Sequence, residues 1–103
     1  MRYEIVLSPE AIADLRSLRA DLRSMVRDGI EEHLRHAPAA TSRARIKRLR
    51  GQSRPQYRLR IDDIRVFYDV TEDRVEILAI VRKADADDWL RRIGEPDETN
   101  SSV

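Results

Sequence analysis

With 103 residues, the chain is long enough for one domain built on one modest core. Hydrophobic residues make up 41% and aromatics only 5%, so that core must be mostly aliphatic, and 38% charged residues sum to a net charge of just +1. The lack of cysteine excludes disulfides and thiolate metal sites, and no stretch approaches the ~20 apolar residues of a membrane helix.

Tyr3, Ile5 and Leu7 alternate and predict a short strand. The apolar run at the start is too short for a signal peptide, so we expect a soluble, cytoplasmic protein. Ser8, Pro9 and Glu10 then read as a helix start. Ile12, Leu15 and Leu18 form the apolar stripe of a first helix. Leu22, Met25, Val26, Ile30 and Leu34 continue at helical spacing to about His36, where Pro38 stops it. The register shifts near Ala20 and Asp21, which predicts two helices in a hairpin rather than one rod. Gly29 costs roughly 1 kcal/mol against alanine inside a helix and marks close packing. His33 and His36 read as helix-end residues that favour the dipole.

Residues 37–42 form a loop. A basic segment follows: between Arg43 and Arg65 stand nine basic residues against two acids. Such a patch on a near-neutral chain suits a polyanion. Ile46 and Leu49 are spaced for one helical turn, although an extended segment fits equally. Residues 51–55 form a turn.

Next comes the most informative stretch. Tyr57, Leu59 and Ile61 alternate with Arg58 and Arg60; Ile64, Val66, Tyr68 and Val70 alternate with Arg65, Phe67 and Asp69. Two period-2 runs split by Asp62 and Asp63 predict a β-hairpin with a two-residue turn. In that register Ile61 faces Ile64, Leu59 faces Val66 and Tyr57 faces Tyr68. On the opposite face Arg60 meets Arg65, and Arg58 meets Phe67. Facing like charges are destabilising; they call for an anion between them or simply mark a solvated face. Tyr57 and Tyr68 read as core tyrosines with satisfied hydroxyls.

After a turn at residues 71–74, a third hairpin strand is predicted with Val75, Ile77, Ala79 and Val81 inward and Leu78 and Ile80 on the other face. Residues 84–93 predict a short helix with Trp89, Leu90 and Ile93 apolar and Gly94 as its cap. We expect a single domain over residues 1–94 and a disordered polar tail over 95–103. The fold class is α+β: a twisted, mainly antiparallel four-stranded sheet, the helical hairpin on one face, the order β-α-α-β-β-β-α. The other face, with Arg58, Arg60, Arg65, Phe67, Leu78 and Ile80, awaits a ligand, a partner or the terminal segment.

Four pieces resemble the RelE/ParE toxin superfamily of bacterial type II toxin–antitoxin systems: residues 47–51 (KRLRG), 57–61 (YRLRI), 64–68 (IRVFY) and 75–81 (VEILAIV). The likeness covers roughly residues 3–90, including the helical hairpin. One branch of the superfamily cleaves messenger RNA at the ribosome without a metal: the 2′-hydroxyl attacks the adjacent phosphate and leaves a 2′,3′-cyclic phosphate. The other branch poisons DNA gyrase. Both are silenced by an antitoxin whose tail wraps the toxin, which here implies an antitoxin across the open sheet face. The resemblance therefore implies a RelE-like mRNA endoribonuclease with mRNA and the ribosome as partners. The alternatives are a ParE-like gyrase toxin, or a non-catalytic homologue that meets operator DNA only through its antitoxin. No cofactor, metal or membrane is implied.

Carried over residue by residue, the resemblance places Arg58 and Arg60 on basic positions of the ribonuclease branch and Arg65 on its phosphate-binding arginine. Arg82 and Lys83 stand where that branch has a further cation. Trp89 and Leu90 stand where it has a proton-exchanging aromatic, and neither can exchange a proton. The expected catalytic set is Arg58, Arg60, Arg65 and Lys83, with Lys83 or Asp85 for proton transfer. The expected RNA contacts are Lys47, Arg48, Arg50, Arg82 and Trp89. Trp89 could equally pack the last helix onto the sheet, and the pairs Glu31–Glu32 and Asp87–Asp88 read as solvated faces.

Overall fold

A computed structural model describes residues 1–96 of the chain. The elements run β1 (Glu4–Leu7), α1 (Pro9–Ser17), α2 (Ala20–Leu34), β2 (Ile46–Arg48), β3 (Gln52–Arg54), β4 (Tyr57–Ile61), β5 (Ile64–Val70), β6 (Arg74–Arg82), α3 (Lys83–Ile93) and β7 (Glu95–Pro96). The main sheet has the order β1-β6-β5-β4-β2, with β1 parallel to β6 and every other pair antiparallel. It is therefore five-stranded, not four-stranded: the ambiguous basic segment supplies β2, extended along β4.

Local chemistry explains the helical hairpin. The Ser8 hydroxyl accepts from the Ala11 N–H at 3.0 Å, and Pro9 occupies the first helical turn. The chain turns extended at Leu18 and Arg19, so the two-helix expectation holds. Leu22, Val26, Ile30 and Leu34 of α2 are buried against Leu59, Ile61, Ile64, Val66 and Tyr68. Ile12 and Met25, assigned to the apolar stripe, are instead substantially exposed. At Gly29 a Cβ would lie 2.6 Å from Cδ1 of Ile61, so any larger residue there would have to push the Ile61 side chain aside.

The β4–β5 hairpin has the predicted register, Ile61↔Ile64 through Tyr57↔Tyr68. Asp62 takes the left-handed conformation (φ 51°) that the tight turn requires and that aspartate tolerates. Tyr68 is fully buried, and its hydroxyl donates to the Pro38 carbonyl at 2.6 Å. Burial pushes that phenol well above its ordinary range, with Tyr57 adding to the effect. Tyr68→Phe removes the hydroxyl that donates to the buried Pro38 carbonyl, and should cost about 1–3 kcal/mol, read as a lower urea midpoint at unchanged slope.

One expected register is wrong. Phe67 pairs with Ala79 but Tyr68 pairs with Ile77, so Leu78 is an extra residue in β6. The bulge exchanges the faces beyond it, because side chains alternate with period two. Ile80, expected on the outer face, enters the main core; Ala79 and Val81, expected inward, join the outer cluster. Helix α1 holds the bulge open: the Ser8 hydroxyl donates to the Leu78 carbonyl at 3.0 Å, and Asp14 Oδ2 accepts from the Ile80 N–H at 2.9 Å.

The outer face is also not open. Helix α3 lies across it, with Ala86 and Trp89 buried against Phe67 and Ala79. Gly94 caps α3 through its N–H to the Leu90 carbonyl, but without a positive φ. Its lack of a side chain serves close approach instead, since a Cβ would lie 2.7 Å from Gln52 Oε1. Glu95 and Pro96, expected in the disordered tail, pair with β3, and the Ser53 hydroxyl lies 3.2 Å from the Glu95 carbonyl oxygen to which it donates. The expectation for residues 97–103 lies outside the described residues. No helix among the described residues is long and apolar enough to cross a membrane.

Candidate functional site

Two cross-strand rows of cations stand on the outer face of β2, β4 and β5. Arg60 faces Arg65, as the alternation predicts. One row along, Lys47 faces Arg58, which faces Phe67 on its other side. This second like-charge pair follows from β2, which the sequence leaves unassigned.

Helix α3 closes these rows into a site. Lys83, Ala86, Asp87 and Leu90 recur at three- and four-residue spacing, so they share one face of the helix. With Lys47, Leu49, Arg58, Arg65 and Phe67 they line a cleft of about 320 Å³. Its floor is apolar: Leu49, Phe67, Ala86 and Leu90. Four cations and a single carboxylate, Asp87, stand around that floor. A larger concavity of about 430 Å³ lies by Met25, Asp28, Glu32, His33, Arg45 and Asp62. Its lining carries three carboxylates against one arginine and one histidine, so the smaller cleft carries the stronger case for an anion.

The two central arginines are held differently. Arg65 is 6% exposed, and its Nη1 donates to the carbonyls of Asp62 at 2.9 Å and Ile64 at 3.1 Å. The hairpin turn thus fixes its guanidinium. Arg58 has its Nε buried without a hydrogen-bond partner among the described residues. Burial first, then Arg65 and Arg60, push its guanidinium below the ordinary arginine value, while Asp87 acts in the opposite sense. A desolvated cation with an unmet donor is what an arriving oxyanion would satisfy.

Of the expected catalytic set, Arg58, Arg65 and Lys83 come together in the cleft. Arg60 is exposed beside Arg65 but is not in the cleft lining. Of the expected RNA contacts only Lys47 lines it. Arg48 projects to the opposite face, where its guanidinium lies 5.2 Å from the Tyr57 ring centre and Nη1 donates to the Gln56 carbonyl. Arg50 sits in the turn before β3. Arg82 and Asp85 line a separate cleft with Asp14 and Ser17. Trp89 is 4% exposed and stacked on Phe67, ring centres 4.9 Å apart at 7°, so it packs the helix onto the sheet and offers no face to a base. Sequence reasoning missed Asp87 by treating it as one of a solvated acid pair. The signal available was its spacing of four from Lys83 on an amphipathic helix.

Comparison with known proteins agrees with this architecture. The family described as the ParE toxin of the type II toxin–antitoxin system parDE matches residues 5–87. No curated protein matches the chain. Among solved structures, a free Escherichia coli RelE toxin carrying two arginine-to-alanine substitutions superposes with a TM-score of 0.66 at 19% identity, covering 90% of this chain and 99% of that one. A RelB–RelE antitoxin–toxin complex from Methanococcus jannaschii gives 0.63 at 18% identity over 82% of this chain and 96% of its counterpart. A RelBE toxin–antitoxin complex from Mycobacterium tuberculosis gives 0.63 at 21% identity over 80% and 99%. These identities speak for a shared fold, and the family match spans most of the chain. The resemblance read from the basic hairpin is borne out: the chain belongs to the ParE toxin family of type II toxin–antitoxin systems.

Proposed function

We propose that this toxin binds RNA through the cationic cleft and cleaves it at the ribosome in the RelE manner, without a metal. The observation that carries the reading is the convergence of Lys47, Arg58, Arg65 and Lys83 on one small concavity. Guanidiniums stay protonated and cannot act as bases. Held in place, Arg58 and Arg65 instead stabilise the charge that builds on the non-bridging phosphate oxygens as the 2′-hydroxyl attacks. Lys47 and the exposed Arg60 contact neighbouring backbone. Arg50 and Arg82, outside the cleft, add field rather than contact. The toxin acts in the cytoplasm, where its target is. Its partner is a cognate antitoxin, as in the RelB–RelE complexes of the same fold. With α3 already covering part of the outer face, an acidic antitoxin segment would take the cleft that remains.

A second reading has its own support, because the matching family is described by ParE rather than RelE. In it the cleft receives an acidic segment of gyrase and no bond is cut. Free protein added to translating ribosomes, followed by mapping of RNA 5′ ends, separates the two. Cuts that disappear in Arg58→Ala support RNA cleavage. Gyrase-dependent DNA breaks without RNA cuts overturn it in favour of the second reading. Absence of both, with tight binding to the product of an adjacent small gene, leaves a toxin homologue that reaches operator DNA only through that partner.

A further inference from the structure

We propose that Asp87 accepts the proton of the attacking 2′-hydroxyl and that Lys83, one helical turn earlier, donates a proton to the leaving oxygen. The proposal rests on the RNA-cleavage reading of the same cleft.

In-line attack needs a group that takes up a proton, and the cations cannot. A guanidinium stays charged and an ammonium has no acceptor site. Of the side chains lining the cleft, only Asp87 carries an acceptor oxygen. Its neighbour Asp88 is engaged elsewhere, with Arg91 at 3.3 Å and Arg92 at 3.1 Å. Asp87 is exposed, and among the described residues it enters no ion pair. It lines the same cleft as Arg58, the guanidinium proposed to hold the phosphate, and its charge acts on that group. The groups facing it are Lys47 from β2, Arg58 from β4, Arg65 from β5 and Lys83 on its own helix, all of them cations.

The step balances. The O2′–H bond breaks and the proton passes to Asp87. The O2′–P bond forms, the P–O5′ bond breaks, and the leaving oxygen takes a proton from Lys83. The products are a 2′,3′-cyclic phosphate and a 5′-hydroxyl. Asp87 is then protonated and Lys83 neutral, and one proton passed between residues four apart on a helix restores both.

The competing role for Asp87 is to temper repulsion among the cations. The two roles predict opposite signs. If Asp87 only tempers charge, Asp87→Asn strengthens RNA binding and leaves cleavage unchanged or faster. If it takes the proton, Asp87→Asn strengthens or preserves binding of a short RNA oligonucleotide while cleavage falls by about 10²–10⁴-fold. Asp87→Glu then recovers part of the rate. The measurement is single-turnover cleavage of mRNA in translating ribosomes by the full chain and both variants, with urea midpoints to confirm folding. Wild-type cutting together with an Asp87→Asn rate equal to wild type overturns the proposal and leaves the RNA-cleavage reading standing. A wild-type protein that binds ribosomes and cuts nothing overturns both.

Discussion

Phe67→Ala should lower the stability of the folded protein by about 3–5 kcal/mol, the usual range for deleting a buried phenylalanine. That is a large share of the ~5–15 kcal/mol that holds a domain of this size together. Phe67 is fully buried between β5 and α3, stacked on Trp89 and packed with Ala79 and Ala86. Its other buried neighbours there are the two alanines, which can refill little of the space. Trp89→Ala should cost a similar amount. In a double-mutant cycle the pair should show a coupling of about 0.5–1.5 kcal/mol beyond the separate losses. Urea unfolding reads all three values. A midpoint for Phe67→Ala within error of wild type would mean that α3 is not seated on the sheet. The consequence reaches the site, because α3 carries Lys83 and Asp87. Loosening it opens one wall of the cleft.

In the RNA-cleavage reading, Arg65→Ala should lower cleavage sharply. Removing one preorganised donor from a developing oxyanion typically costs 10²–10³-fold, about 2.7–4 kcal/mol of transition-state stabilisation. Arg65 meets the condition for preorganisation better than Arg58 or Arg60, since two backbone carbonyls of its own hairpin hold Nη1 in place. Loss of those bonds should also lower stability by about 1–3 kcal/mol, so the rate must be measured where the urea curve shows the variant folded. Arg65→Lys separates charge from geometry. It keeps the cation but loses the planar fork, and most of the activity should still be lost. Wild-type cleavage by Arg65→Lys would show that net charge in the cleft, not the fixed guanidinium, is what matters. Undiminished cleavage by Arg65→Ala would remove Arg65 from the site altogether.

The two cases differ in how far each could be seen without coordinates. Arg65 is legible from alternation and a two-residue turn alone. Its partners Asp62 and Ile64 are neighbours in the chain, and a hairpin register propagates from its turn. The Phe67–Trp89 stack joins residues 22 apart whose contact depends on where α3 comes to rest. From the sequence, Trp89 was equally a ring for a base and a wedge for a helix.

The residue pattern by itself determined the helix start at Ser8 and Pro9, the β4–β5 register with Arg60 opposite Arg65, the core placement of Tyr68, and the family, while the register shift near Ala20 became a break only where the chain turns extended at Leu18 and Arg19. The cap and the hairpin register are short-range, decided within a few residues, and the register carries Tyr68 to the core face, although the carbonyl that satisfies its hydroxyl lies 30 residues away at Pro38. Tertiary structure alone decided that Ile46–Arg48 joins the sheet and sets Lys47 against Arg58. It alone decided that β6 bulges at Leu78, because Ser8 and Asp14 reach it from α1, and that Asp87 turns into the cleft while Asp88 turns out. Those outcomes come from which distant groups satisfy a backbone hydrogen bond or bury an apolar face, and such partners leave no periodic trace in the chain that carries them.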